Sequence, residues 1–88
     1  MARHFNQKLK LLTLQALLLE RSDEEHPLTT EELRAALAER GIAAERKSLY
    51  DDMETLSRFG LDIHQRRGRG GGWFVGERLF QLPELKLL

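Results

Sequence analysis

Apolar side chains recur at helical spacing along the first twenty residues. Phe5, Leu9, Leu12, Ala16 and Leu19 form one stripe, which predicts an amphipathic helix. Leu11, Leu14 and Leu18 form a second stripe pointing nearly the opposite way. A helix apolar on two sides is usually buried on two sides, so this second stripe reads as surplus surface. After the loop RSDEEHP, Thr29 and Glu32 form a capping box, and Leu28 with Leu33 forms a hydrophobic staple around it. A second helix therefore starts near Thr30 and buries Leu33, Ala36 and Leu37. It stops at Gly41, a residue suited to the left-handed position past a helix end. Ile42 is expected to drop into the core between helices.

The third predicted helix runs from about Glu45 to Phe59, with Leu49, Met53 and Leu56 inward at i, i+4, i+7 and Gly60 ending it. Leu61 and Ile63 then alternate with Asp62 and His64, a half-buried strand pattern. Gly68 and Gly70-Gly71-Gly72 allow a loop, and Trp73-Phe74-Val75 is the returning strand. Leu82-Pro83-Glu84 reads as the start of a further helix, with proline in its first turn. The expected class is α+β, mostly helical, with three helices and a two-stranded hairpin over residues 1–81. Residues 82–88 would begin a linker or dimerisation helix. A tight turn, an amphipathic helix and a basic hairpin, in that order, make a winged helix-turn-helix. Such a fold sets the helix at about 45–59 in the DNA major groove and the wing at 64–73 on the backbone or minor groove.

Eighty-eight residues fit one domain, and a 41% apolar content supplies a modest core. Without cysteine there is no disulfide and no thiolate metal site, a composition compatible with the cytoplasm. Leu9–Leu19 behind Lys8 and Lys10 slightly resembles a signal peptide. Thr13 and Gln15 interrupt it, and ERSDEE stands where a small-residue cleavage site belongs. The segment is also far short of the ~20 apolar residues of a membrane span, so no membrane partner is expected. Formal net charge is zero, yet the charges are segregated. From Glu20 to Glu32 six acids face one arginine, a balance of −5, whereas Arg58 to Arg78 holds five arginines against two acids, a balance of +3. Binding follows the local field, so the neutral total does not exclude DNA.

On the third helix, Lys47, Asp51, Glu54 and Arg58 lie away from the inward stripe, flanked by Arg46 and Tyr50 on one side and Ser48 on the other. Arg46 and Lys47 suit guanine O6 and N7, at ~1–3 kcal/mol of discrimination for a good bidentate pair. The hydroxyls of Ser48 and Tyr50 suit phosphate or base contacts. The competing reading is a solvated face, with Lys47–Asp51 an i,i+4 pair of ~0.3 kcal/mol. Asp51 is expected to orient Lys47. In the hairpin, Arg66, Arg67 and Arg69 are placed to meet phosphates or a narrow minor groove. Thr30, beside Thr29, begins a helix whose free N–H groups suit a phosphate, although a simple cap explains it as well. Trp73 and Phe74 read as packing rather than as a base-stacking platform.

The glycines match neither GxxxxGK[ST] nor GxGxxG leading into a helix, so a nucleotide-phosphate loop is not expected. His4, His26 and His64 are too scattered for a metal site, and no cofactor is implied. No cysteine nucleophile, assembled Ser-His-Asp set or carboxylate pair in an apolar cleft points to an enzyme.

The segments LTTEEL, GIAAERKSLYDDMETLSRFGLDI, RRGRGGGWFV and FQLPELKLL together resemble the N-terminal domain of bacterial WYL-domain transcriptional regulators. The most specific part is RKSLYDDMETL followed by FGLDI and the GGG-aromatic-aromatic wing. The resemblance implies DNA-dependent regulation, a dimer and a downstream ligand-sensing barrel domain that this chain lacks.

Leu11, Leu14 and Leu18, with Leu85, Leu87 and Leu88, have no obvious partner within the domain, and exposed apolar patches of that extent mark interfaces. They are expected to pair across a two-fold axis, setting two recognition helices ~34 Å apart on a pseudo-palindromic operator. In the alternative arrangement the tail folds back on the first helix. An alternative function is a winged-helix protein–protein interaction module using the leucine faces of helix one and the C-terminus.

Overall fold

The computed structural model describes residues 2–77, with side chains from Gln7 onward. Three helices, α1 (Ala2–Arg21), α2 (Thr30–Glu39) and α3 (Arg46–Phe59), precede an antiparallel hairpin of β1 (Ile63–Arg66) and β2 (Gly72–Val75). The chain is thus a small, mostly helical α+β fold. The Leu82-Pro83-Glu84 helix start and the tail leucines Leu85, Leu87 and Leu88 lie outside the described residues, as does the Phe5 side chain.

Helix α2 begins as its sequence requires. The Thr29 hydroxyl accepts from the Glu32 N–H at 3.0 Å, and the Glu32 carboxylate accepts from the Thr29 N–H at 2.8 Å, completing the capping box. Its far end is equally specific. The Ile42 N–H donates to the Leu37 carbonyl and the Gly41 N–H to the Ala38 carbonyl, with Gly41 at φ 76°. These bonds make a Schellman motif, which needs the left-handed conformation that glycine adopts without a Cβ penalty. Ile42 is thereby turned into the core, 3% exposed. At the end of α3 the Leu61 N–H returns to the Leu56 carbonyl past Gly60, and Leu61 is buried in turn. Both helices therefore end on a glycine followed by a core anchor.

The core joins Leu14, Leu17 and Leu18 of α1 to Leu33, Ala36 and Leu37 of α2, Leu49, Met53 and Leu56 of α3, and Val75 of β2. This reverses the face expected of α1. Leu14 and Leu18 are fully buried and Leu11 packs against the core, whereas Leu12 is 63% exposed and Leu9 and Ala16 are exposed too. Leu14 and Leu18 are thus taken up by the intradomain core, and Leu11 packs against it. Lys10, one turn before Leu14, shares that inward face and is buried.

The hairpin is fastened at three points. Ile63 pairs with Val75 and Arg66 with Gly72, which puts Ile63, Gln65, Trp73 and Val75 on one face. Trp73 also exchanges two backbone hydrogen bonds, at 2.8 and 2.7 Å, with Leu28 just ahead of α2. This short extra bridge extends the sheet to the start of α2. At the base of the hairpin, the buried Ser22 hydroxyl accepts from the Val75 N–H at 3.1 Å and donates to the Leu18 carbonyl at 2.6 Å. No described helix is long and apolar enough to cross a membrane.

Candidate nucleic-acid interface

The Leu28–Trp73 bridge has a direct consequence for the surface. It draws the hairpin against the N-terminal end of α2, next to the N-terminal end of α3. Thr29, Thr30 and Glu31 from α2, Arg46 and Tyr50 from α3, and Arg66 and Arg67 from the hairpin line one open groove of about 410 Å³. Five of the residues expected to meet DNA therefore converge: Thr30, Arg46, Tyr50, Arg66 and Arg67.

Tyr50 and Trp73 hold this arrangement from below. Their rings meet edge to face, with centroids 5.5 Å apart, bracing α3 on the hairpin. The Trp73 indole N–H donates to the Thr30 hydroxyl at 3.4 Å. Trp73 packs against the core, in keeping with a packing role. Phe74 is also buried but lies on the opposite strand face, stacked on His64 at 5.1 Å with the Arg66 guanidinium 5.3 Å from its ring centroid. Because the Thr29 hydroxyl closes the capping box, the Thr30 and Glu31 N–H groups are the first-turn donors left outside it.

Arg46 is already engaged. Its Nη2 donates to the Glu31 carboxylate at 2.5 Å, and Arg34 Nη1 approaches both oxygens of that carboxylate at 3.3 Å. The Arg46 hydrogen bond, with Arg34 adding charge, holds the Glu31 carboxyl below its ordinary value. Arg34 also donates through Nε to the Ala44 carbonyl at 2.9 Å, pinning the turn between α2 and α3.

Ser48 requires a correction. Its hydroxyl accepts from Lys10 Nζ of α1, and the residue is half-buried. At 100° per residue, position 48 falls on the α1 side of α3, together with Asp52. Asp52 Oδ2 is buried, and its partner among the described residues is the Lys10 ammonium 3.1 Å away. Burial raises the Asp52 carboxyl above the ordinary aspartate value despite the opposing pull of Lys10.

Lys47 remains on the outer face of α3, and among the described residues no ion pair joins it to Asp51. The expected orienting role of Asp51 is therefore not seen. The Asp51 carbonyl instead accepts from the Thr55 hydroxyl at 3.1 Å, and the ion pair on that face is Arg58–Glu54, also at 3.1 Å. Arg69 stands at the exposed hairpin tip, apart from the groove lining.

Asp62 secures the exit from the hairpin. Its carboxylate accepts from the Glu77 N–H at 2.8 Å and lies 3.0 Å from His64 Nε2. The Glu77 hydrogen bond, aided by His64, holds this carboxyl below its ordinary value. Sequence reasoning missed the long-range roles of Asp62, Lys10 and Leu28, whose partners Glu77, Asp52 and Trp73 lie distant in the chain. No three His, Asp or Glu side chains among the described residues gather to hold a metal ion.

Comparison of the chain with protein-family models, with curated proteins and with solved structures gives no match.

Proposed function

We propose that this chain is a winged helix-turn-helix that binds double-stranded DNA as the DNA-binding module of a transcriptional regulator. The convergence of Arg46, Arg66, Arg67 and the α2 N-terminus around one groove carries this reading. Three helices with an antiparallel hairpin, and α2 joined to α3 by a short glycine-containing turn, are compatible with that fold. In the proposed complex the N-terminal half of α3 lies in the major groove, where Arg46 and Lys47 read base edges. The hairpin arginines meet the backbone or the adjacent minor groove, and the α2 N–H groups face a phosphate.

The resemblance to the N-terminal domain of WYL-domain regulators extends the proposal to a bacterial cytoplasmic setting, paired modules on a pseudo-palindromic operator and a downstream sensing domain. Pairing would have to use a surface other than Leu11, Leu14 and Leu18, which the core occupies. The protein-interaction alternative loses the same leucine face.

Selection from a randomised duplex pool, followed by sequencing of the retained DNA, tests the reading. Enrichment of an inverted repeat is the expected result. Retention of no duplex at low salt would overturn it.

A further inference from the structure

We infer that Glu31 is a positioning residue, holding Arg46 in the orientation that reads a base. This deepens the DNA-binding reading above and rests on it. The inference comes from a relay of side chains that spans the α2–α3 turn. The Ala44 carbonyl, in the turn, accepts from Arg34 Nε at 2.9 Å. Arg34 Nη1 lies 3.3 Å from both Glu31 oxygens, and Glu31 Oε2 accepts from Arg46 Nη2 at 2.5 Å. Glu31 is thus braced from one side by Arg34 and spends its carboxylate on Arg46, the first residue of α3.

Such a pair does little for stability. The Glu31 and Arg46 side chains are 58% and 60% exposed, and solvent screens ion pairs of this kind. Its effect on recognition is larger. A guanidinium has five N–H donors in a fixed fork, so one bond to Glu31 leaves enough for a bidentate contact to guanine O6 and N7. An arginine held in advance loses less side-chain entropy on binding than a free one. The same carboxylate sits in a groove offered to phosphates, where its charge weakens attraction to any sequence. Glu31 therefore raises discrimination and lowers non-specific affinity together.

Both effects are lost in Glu31→Ala, which removes the acceptor of the Arg46 hydrogen bond together with the charge. Affinities are measured by fluorescence anisotropy for the duplex enriched from the randomised pool and for a scrambled duplex. The variant binds scrambled DNA about fivefold more tightly. Its ratio of specific to non-specific affinity falls about fivefold, because Arg46 must then be ordered as it binds. In an Arg46→Gln background the same change leaves the ratio where Arg46→Gln alone puts it, because the residue being positioned is gone. An unchanged urea midpoint shows that folding is intact. Equal gains on both duplexes, leaving the ratio unaltered, would reduce Glu31 to a repulsive charge and overturn the inference. A variant indistinguishable from the parent would overturn it too. Failure of the parent to bind any duplex is a different result and removes the DNA-binding reading itself.

Discussion

Lys10 Nζ of α1 lies 3.1 Å from Asp52 Oδ2 of α3, so a buried ion pair fixes the angle between the first helix and the helix proposed to read DNA. The Ser48 hydroxyl accepts from the same ammonium. Lys10→Met leaves Asp52 without its counter-charge in a desolvated place, and the loss is about 3 kcal/mol at pH 7. Because burial raises the Asp52 carboxyl, the folded chain takes up a proton between the ordinary value of 3.8 and the raised one. Stability therefore falls as pH rises through that window. Removing Lys10 takes away the influence that opposes the rise, so the fall deepens. Urea denaturation should show the deficit of Lys10→Met shrinking between pH 7 and pH values below 3.8. An equal deficit at both would show that the pair is not what the substitution disturbs.

Leu14 and Leu12 differ by two positions and by everything in environment, at 0% and 63% exposure. Leu14→Ala opens a cavity in the core cluster to which Leu14 belongs and is expected to cost about 3 kcal/mol. Leu12→Ala is expected to stay within about 0.5 kcal/mol. Chemical denaturation of the two variants decides which stripe of α1 faces inward.

That stripe is also where the sequence was hardest to read. Leucines occur on both sides of α1, so apolar spacing alone does not select a face, and Lys10 on the inward side looks like a solvent marker. Only the acceptors it finds on α3, 38 or more residues away, make its burial tolerable. The boundaries of α2 were legible because their causes are local. Thr29, Glu32, Gly41 and Ile42 each act within a few residues of the helix end. The alternation from Leu61 to His64 located β1 less well, because the strand runs over Ile63–Arg66 and Leu61 serves instead as the core anchor past Gly60. The groove was legible as a list of residue types, but its assembly depends on Leu28 meeting Trp73 across 45 residues of chain, which no local pattern encodes.

Gly72 permits that meeting. A Cβ there would lie 2.5 Å from the Leu28 carbonyl oxygen, and the residue sits at φ 151°. Gly72→Ala is expected to cost about 2 kcal/mol and to free the hairpin from α2, so that hydrogen exchange at the Leu28 and Trp73 amides speeds up. Gly70→Ala, at φ 73° with open space around it, carries only the left-handed backbone penalty of about 1 kcal/mol and leaves those amides protected. Equal exchange in the two variants would deny the bridge its structural role.

Lys47 and Arg67 should separate base reading from phosphate binding. Lys47→Ala is expected to alter discrimination among duplexes by about 1–3 kcal/mol at particular positions. Arg67→Ala should weaken every duplex alike and reduce the slope of log K against log salt by about 0.9. The reverse pattern would exchange the roles of α3 and the hairpin.

The central claim is that the groove between the ends of α2 and α3 and the hairpin is a DNA-binding surface. Its most direct test is fluorescence anisotropy of a labelled duplex titrated with the parent chain and with an Arg66→Gln/Arg67→Gln variant, at low and at high salt. The parent should bind with an affinity that falls steeply with salt, and the variant should bind far more weakly with a flatter dependence. Absence of binding by the parent at low salt, or equal binding by the variant, would contradict the claim.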